Sequence, residues 1–425
     1  MTRNRPTQPG DEDMKRAVKR SGAARPSEAT IFRRLRGLAV AGLAVGLAAC
    51  ASPEARDAAV AEAIETGGER YAAEMEARRA RHLATTVARF ERIHRGEAGD
   101  DTYDALLFSG GAEWGAFGAG YMAQWAELGD AAPTPIPEFD FVGGISTGAL
   151  MAAFVASGEP ERYAALEDFY RNVSPTWIEQ RGILEILSPR TTSLVDNAGI
   201  RAQVESAVDE SLIADLRRAH ADDRQIMIGT VNLDYGGRRY WNIAEVAATA
   251  ADPGPRIVDI LMAATAIAGV FPPVEIDGAL YGDLGYVEGI PAFRGRNTDA
   301  FGAAWRERNG DGEPPTARLW LVYNIPIGVE PDPVELSLVP LAMRGYDALV
   351  QASFTNPVNT ALLLQRLSER SRTPLVEVRW IAIPRSFEKD PEVPLFSPAT
   401  TNPLADLGRE AALEPAGGWR RDQPD

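Results

Sequence analysis

Residues 139–156 read FDFVGGISTGALMAAFVA, two apolar runs joined by a turn of small residues. The first run predicts a buried β-strand over 139–145, and the second predicts a helix over 147–156. The turn is a G-x-S-x-G motif formed by Gly144, Ser146 and Gly148. Small residues on either side of a serine let a strand turn sharply into a helix, which holds the hydroxyl clear of the backbone. We therefore predict Ser146 as a nucleophile, with Gly144 and Gly148 forming its elbow.

A serine nucleophile needs a base, and histidine, the usual base, is scarce in this chain. There are three histidines, and His220 is the only one that follows Ser146. It lies in the strongly charged stretch 217–223, which is typical of an exposed helix end. A Ser-His-Asp triad is therefore poorly supported, and a Ser-Asp dyad is the natural substitute.

A second small-residue segment, residues 109–120, reads SGGAEWGAFGAG between a predicted strand and a predicted helix. Backbone N–H groups in such a loop are free to receive a developing negative charge, and the helix dipole adds to the effect. The segment lacks the Gly-Lys-Ser/Thr of a Walker A loop, and its glycine spacing departs from the dinucleotide-binding pattern. It favours an oxyanion hole over a nucleotide site.

These motifs, in this order and followed by Phe271-Pro272-Pro273 and an Asp-x-Gly, resemble the patatin-like phospholipase family. The similarity extends over residues 104–292 and is weaker beyond them. Members of that family hydrolyse acyl esters of phospholipids and neutral glycerolipids with a Ser-Asp dyad. The resemblance implies Ser146 as the nucleophile and the amides of Gly110, Gly111 and Ala112 as the oxyanion hole.

Two aspartates compete for the role of the acid. Asp277-Gly278-Ala279 matches the family motif literally, but Asp-Gly between two short apolar runs is typical of a two-residue hairpin turn. That turn would place Asp277 at a loop tip, far from the serine. Asp283-Leu284-Gly285 is followed by Gly289-Ile290-Pro291, which resembles the family segment after its acid. We therefore predict Asp283 over Asp277, with Leu284 as a departure from the motif.

The glycine loop departs from the family pattern at two further positions. Its third glycine is Ala112, which still supplies an N–H group, and the usual basic residue is Trp114. Without that cation, nothing obvious in the loop attracts a lipid phosphate. Esters with less charge become correspondingly better candidates.

Strands alternating with helices along the chain predict a three-layer α/β/α patatin-like fold with a mostly parallel central sheet. We expect a lipoprotein signal with an N-terminal extension over 1–49, a helical tether over 50–100, the catalytic domain over 101–385 and a tail over 386–425. In the tail, a short helix is expected near 404–412.

The composition excludes several classes of protein. The chain has 425 residues and a net charge of −16, and a surface this acidic repels nucleic acid. A single cysteine excludes an intrachain disulfide and a multi-cysteine metal site. No acidic and histidine cluster has metal-ligand spacing, and a serine dyad needs no metal, so no metal and no cofactor are expected.

The single cysteine lies at the end of a segment typical of a secretory signal. Arg33-Arg34-Leu35-Arg36 precedes an apolar run over 37–49, which is too short to cross a bilayer. The run ends in Leu47-Ala48-Ala49-Cys50, which resembles the bacterial lipobox. We expect lipidation of Cys50 and attachment to the bacterial envelope, with Ala51 after it favouring the periplasmic side of the outer membrane.

Together, the sequence predicts a lipid acyl hydrolase of the serine esterase type whose partners are an acyl-ester substrate and a membrane. Two alternatives stay open. One is an envelope-anchored scaffold or binding protein that keeps the fold without turnover, and the other is a non-lipid esterase or thioesterase. Sequence leaves the oligomeric state open.

Overall fold

The computed structural model describes residues 57–188, 190–291, 295–328, 333–371, 375–390 and 392–424. The strands are β1 (Thr102–Phe108), β2 (Phe141–Ile145), β3 (Glu179–Gln180), β4 (Val195–Asp196), β5 (Gln225–Asn232), β6 (Gly237–Asn242), β7 (Val274–Ile276), β8 (Ala279–Asp283), β9 (Thr316–Tyr323) and β10 (Val376–Ala382). An eight-stranded sheet has the order β10-β9-β1-β2-β5-β8-β7, and β6 pairs with the other edge of β5. The neighbours β10, β9, β1, β2 and β5 are parallel to one another, β6 and β8 are antiparallel to β5, and β7 is antiparallel to β8.

Both faces of the sheet are covered by helices, because the central strands are apolar on both sides. In β1, Leu106 and Phe108 join one buried cluster, while Ala105 and Leu107 join the cluster on the opposite face. The predicted α/β/α class with a mostly parallel sheet is confirmed. The helices are α1 (Ala58–Thr66), α2 (Gly68–His94), α3 (Ala116–Leu128), α4 (Thr147–Val155), α5 (Pro160–Arg171), α6 (Ile183–Ile186), α7 (Ala198–Ala207), α8 (Glu210–Ala221), α9 (Ile243–Thr249), α10 (Pro253–Ala264), α11 (Gly295–Asn309), α12 (Leu338–Ser371) and α13 (Pro398–Leu413).

The two helical layers differ in size. Buried residues of α3, α4, α5, α7, α8, α9, α10 and α13 pack on one face of the sheet, and those of α2, α11 and α12 pack on the other. The main compact unit comprises Ala55–Arg181 and Thr192–Asp425, and Gly182–Thr191, which include α6, are not part of it.

The segment predicted as a helical tether is partly core. Its helix α2 buries Val87, Phe90 and Ile93 against the sheet. Arg89 donates from Nε to Oδ1 of Asp140 over 2.5 Å, and both side chains are buried. The second half of α2 is therefore part of the domain. Within the part of the chain that the structure describes, no helix is long and apolar enough to cross a membrane.

The segment predicted as a C-terminal tail over 386–425 contains a helix, as expected near 404–412, but α13 (Pro398–Leu413) is longer and packs on the domain. Helix α13 packs so closely on α3 that a Cβ added to Gly120 would lie 2.0 Å from the carbonyl oxygen of Ala405. A Cβ added to Gly408 would lie 1.9 Å from the carbonyl oxygen of Phe117. Small residues make this contact, so the segment lacks the strong apolar pattern that signals a buried helix.

Candidate active site

The serine predicted as nucleophile lies on a strained turn between β2 and α4. The backbone of Ser146 has φ 56° and ψ −127°, in a region that residues other than glycine rarely adopt. A Cβ on Gly144 would lie 1.9 Å from the carbonyl oxygen of Gly148, and one on Gly148 would lie 2.5 Å from that of Phe108. Both elbow positions therefore require glycine. Ser146 is 7% exposed and caps the N-terminus of α4, where the helix dipole is positive.

Strand register explains how an aspartate from far along the chain reaches this serine. Strand β2 runs beside β5 until Ile145 faces Gly229, and β8 runs beside β5 from the point where Asp283 faces Thr230. Strand β6 occupies the other edge of β5 at both levels, so β2 and β8 lie on the same side of β5. The two strands run in opposite directions and meet end to end. Ser146 directly follows one end, and Asp283 is the other end.

The side chain of Ser146 lies close enough to the carboxylate of Asp283 for hydrogen bonding from the hydroxyl to lower the pKa of that carboxylate. Burial raises the pKa of Asp283 to about 6, although the hydrogen bonds from Ser146 and from the Gly285 N–H oppose this shift. The Gly285 N–H lies 2.7 Å from Oδ1, and the backbone N–H of Asp283 donates to the carbonyl of Ala266 over 2.8 Å. The carboxylate is thus fixed in position and 3% exposed.

Asp277 lies elsewhere, as the Asp-Gly turn predicts. It occupies the tip of the β7–β8 hairpin with φ 54°, followed by Gly278 with φ 77°. Arg256 holds its carboxylate through two hydrogen bonds, one of them 2.9 Å from Nη1 to Oδ1. The structure therefore brings Asp283, and not Asp277, to the serine.

The glycine loop lies beside Ser146, but one of its three predicted amide donors is already engaged. The Gly110 N–H donates to the carbonyl of Gly289 over 2.9 Å, so the three-donor prediction is corrected to two. Among the described residues, none accepts from the N–H groups of Gly111 and Ala112. A Cβ added to Gly110 would lie 3.3 Å from Cβ of Ser146, which shows how close the loop is to the nucleophile.

Asn324, which was not predicted as a site residue, fixes the position of this loop. Its side-chain amide donates to the Ser109 carbonyl over 3.1 Å, and its Oδ1 accepts from the Gly118 N–H over 3.2 Å. Its backbone N–H donates to Oγ of Ser109 over 2.8 Å. Asn324 is buried at the end of β9, beside the end of β1. The sequence signal that could have indicated Asn324 is a single amide side chain directly after the apolar run 319–323.

Residues 106–294 match the family model of the patatin-like phospholipases. Over these residues the chain is similar to the patatin-like phospholipases. This confirms the resemblance that the motifs indicated, over nearly the same residues. Members of that family act on lipid or acyl-ester substrates.

Among solved structures, the crystal structure of VipD from Legionella pneumophila aligns with 72% of this chain and 67% of its own. The identity is 11% and the TM-score is 0.32. No curated protein matches the sequence.

A segment outside the matched residues supports the glycine loop of the patatin-like domain. Glu113 is buried, forms an ion pair with Lys389 and accepts a hydrogen bond from the Phe396 N–H. Trp114 packs edge-on against Phe387, with ring centroids 5.7 Å apart. A cation thus lies near the position where the family has a basic residue, but Glu113 neutralises it. The loop of this domain has no free positive charge of its own.

The only histidine after the nucleophile is remote from it. His220 is in the last turn of α8, which leads into the start of β5. Ser146 follows the C-terminal end of β2, which is parallel to β5, whereas His220 precedes the N-terminal end of β5. The two residues therefore lie at opposite ends of the strands. The structure gives no support to a triad that includes His220. In the described residues, no group of three or more His, Cys, Asp or Glu could hold a metal ion.

Proposed function

We propose that this chain hydrolyses acyl esters of lipids, with Ser146 as nucleophile and Asp283 as its base. The observation that carries the proposal is the register of β2 and β8 against β5, which brings the serine hydroxyl next to a buried carboxylate. A group with a pKa near 6 is ionised at neutral pH and still basic enough to take a proton in the transition state. The strained turn at Ser146 supports the same role, because such a turn holds the hydroxyl clear of the backbone.

The reaction proceeds in two steps. Oγ of Ser146 attacks the ester carbonyl carbon while Asp283 accepts the hydroxyl proton, and the N–H groups of Gly111 and Ala112 donate to the resulting oxyanion. The tetrahedral intermediate collapses, the C–O bond to the alcohol breaks, and Asp283 returns its proton to the leaving oxygen. Water then attacks the acyl-serine, giving a proton to Asp283. The second collapse releases the fatty acid, and Ser146 recovers the proton.

Release of free fatty acid tests the proposal. The protein is incubated separately with phosphatidylglycerol, phosphatidylcholine, diacylglycerol and a soluble short-chain ester, with heat-unfolded protein as control. We expect fatty acid from folded protein only. A folded protein that releases none from any of the four would contradict the proposal and favour a scaffold, and cleavage of the short-chain ester alone would favour a non-lipid esterase.

The same experiment tests a preference for substrates with little charge. Lys389, which lies beside the glycine loop, is engaged with Glu113, so it is not available as a partner for a lipid phosphate. We therefore expect diacylglycerol to be cleaved faster than phosphatidylglycerol. A reversed order would show that a phosphate-binding group lies elsewhere.

The dependence of kcat/KM on pH tests the role of Asp283 as the base. Asp283 must be ionised to act as a base, and its pKa is about 6. Activity is therefore expected to be constant above about pH 7 and to fall about tenfold per pH unit below pH 6, since protonation removes the base. The profile is measured on a soluble ester, with circular dichroism at each pH to show that the protein stays folded. Full activity retained to pH 4.5 would contradict the assignment.

The substitution Gly111→Ala tests the glycine loop as the oxyanion hole. Gly111 has φ 153°, and an added Cβ would lie 2.4 Å from the backbone oxygen of Asn324, so the loop must move. Displacing the two free amides is expected to lower kcat by about 100-fold, the typical effect of losing an oxyanion donor. The matched control is Gly129→Ala, also at positive φ but with no atom within 4 Å of the added Cβ. Equal kcat values for the two variants would exclude the loop from the oxyanion hole.

We also propose that Cys50 carries lipid and anchors the chain to the envelope. Cys50 lies outside the described residues, and the proposal depends on the lipobox-like sequence alone. Acyl chains supply the apolar area that holds such a protein at a membrane. In a Gram-negative host, Cys50→Ser is expected to move the protein from the membrane to the soluble fraction and to abolish incorporation of labelled palmitate. Unchanged membrane association without label would contradict the anchor.

A further inference from the structure

Helix α12 exposes a row of large apolar side chains. Leu338 is 83% exposed and Leu349 is 71% exposed, and Leu336, just before the helix, is more exposed still. Single exposed leucines are ordinary, but several exposed leucines along one side of a single helix mark an interaction surface. We call this row the leucine face, and it consists of Leu338, Leu341, Leu349, Leu363 and Leu367.

The leucine face is opposite the side of α12 that packs on the domain. At 100° per residue, its five leucines fall within about 80° around the helix axis. Phe354, Val358 and Ala361 lie on the other side of the helix and are buried in the core. The helix is therefore apolar on two sides, and the core explains only one of them.

The packed side of α12 touches the candidate active site directly. The Gly289 N–H donates to the carbonyl of Ser353 over 3.0 Å, and Oγ of Ser353 lies 3.3 Å from the carbonyl of Gly285. The ring of Phe354 lies 3.6 Å from where a Cβ of Gly110 would be. One side of α12 thus contacts both the glycine loop and the segment after Asp283, while the other side is open.

Charge favours a lipid surface as the occupant of the open side. Helix α12 carries the exposed Arg366 and Arg370 close to Leu363 and Leu367, in a chain of net charge −16. Two such acidic chains repel each other, whereas arginines beside an apolar face suit phospholipid head groups. The exposed Tyr286 and Val287, three and four residues after Asp283, extend apolar surface towards the site.

We propose that the leucine face inserts into a phospholipid surface and holds the active site against it. This inference deepens the proposed function, and it rests on that function for its purpose. The leucines enter the interface between head groups and acyl chains. Because α12 contacts the glycine loop and the segment after Asp283, its binding places those loops next to the lipid. The partner is the lipid surface that carries the substrate.

The test uses a fluorophore at one leucine, because the chain has one native cysteine. In the full chain with Cys50→Ser and Ser146→Ala, Leu349→Cys is labelled with a nitrobenzoxadiazole dye. Vesicles of phosphatidylcholine and phosphatidylglycerol are expected to raise its emission at least about twofold, since the dye leaves water. The control is Leu413→Cys on α13, a leucine 58% exposed, whose label should not respond. The same rise at both sites, or none at Leu349→Cys, would overturn the proposal.

A second variant separates this proposal from the proposed function. Leu338→Ser with Leu349→Ser is expected to lower vesicle binding and vesicle-lipid hydrolysis at least about tenfold, with the rate on a soluble ester unchanged. Equal losses on both substrates would overturn the docking role. If no form of the protein hydrolyses anything, the proposed function fails, and the dye response alone decides the surface. A dye response that follows protein concentration without vesicles would indicate a second copy and overturn the lipid assignment.

Discussion

Ser146→Ala will reduce the rate of acyl release by a factor on the order of 10⁴ or more, because the attacking oxygen is gone. The remaining groups of the site hold an ester but cannot form the acyl-serine. Alanine fits the position, since Ser146 is 7% exposed and its side chain is small. The variant is therefore expected to unfold in urea at nearly the wild-type concentration, so that the loss is chemical and not structural.

The measurement compares kcat on a soluble ester for wild type, Ser146→Ala and Ser386→Ala. Ser386 is an exposed serine in the segment after β10, and its loss should leave the rate within twofold. Retention of full activity by Ser146→Ala would remove the nucleophile from the account. A loss shared equally by Ser386→Ala would indicate general damage to the protein.

Asp283→Asn will reduce kcat by about 1000-fold, the upper part of the range for general-base catalysis. Asparagine has the shape of aspartate and can accept hydrogen bonds from Ser146 and Gly285, but it cannot take up a proton. The variant therefore removes the base with little change in packing. It should also remove the fall in residual activity below pH 6, because the group whose pKa is about 6 is gone.

Asp277→Asn is the matched control for that variant. Asp277 is six residues away, fits the family motif more literally and is held by Arg256 at a hairpin tip. Its replacement weakens an exposed ion pair and should change kcat by less than twofold. Full activity in Asp283→Asn combined with loss in Asp277→Asn would exchange the roles of the two aspartates.

The turn at Ser146 and the hairpin at Asp277 could be predicted from the sequence because both depend on local patterns. The small residues around Ser146 specify a turn from strand to helix, and Asp277-Gly278 specifies a two-residue hairpin. Once that turn is assigned, Asp283 falls at the end of β8. The register against β5 then brings it to Ser146, although 137 positions separate the two in the sequence.

What the sequence could not predict depends on contacts between distant segments. The Gly110 N–H is engaged by Gly289, and the loop is held by Asn324 and, through Glu113, by Lys389. Each contact joins residues more than 170 positions apart, and none has a local pattern. The packing of α13 on α3 escaped prediction for a related reason, since close contact between helices uses small residues that carry little hydrophobic signal.

The leucine face shows the opposite situation. Its spacing can be read from the sequence, but the sequence alone gives no reason to leave one apolar side of α12 exposed. The structure shows which side is buried, and so which leucines remain for a partner. If this surface binds lipid, the site acts on substrate without extracting it fully into water.

The central claim, an activated serine at position 146, is tested most directly by the position of a covalent fluorophosphonate adduct. Wild-type protein is treated at pH 7.5, digested and mapped by mass spectrometry, beside Asp283→Asn treated in the same way. We expect a single phosphonylated residue, Ser146, in the wild type, and much slower labelling without the Asp283 carboxylate. An adduct on another residue, or none on folded protein that releases fatty acid, would contradict it.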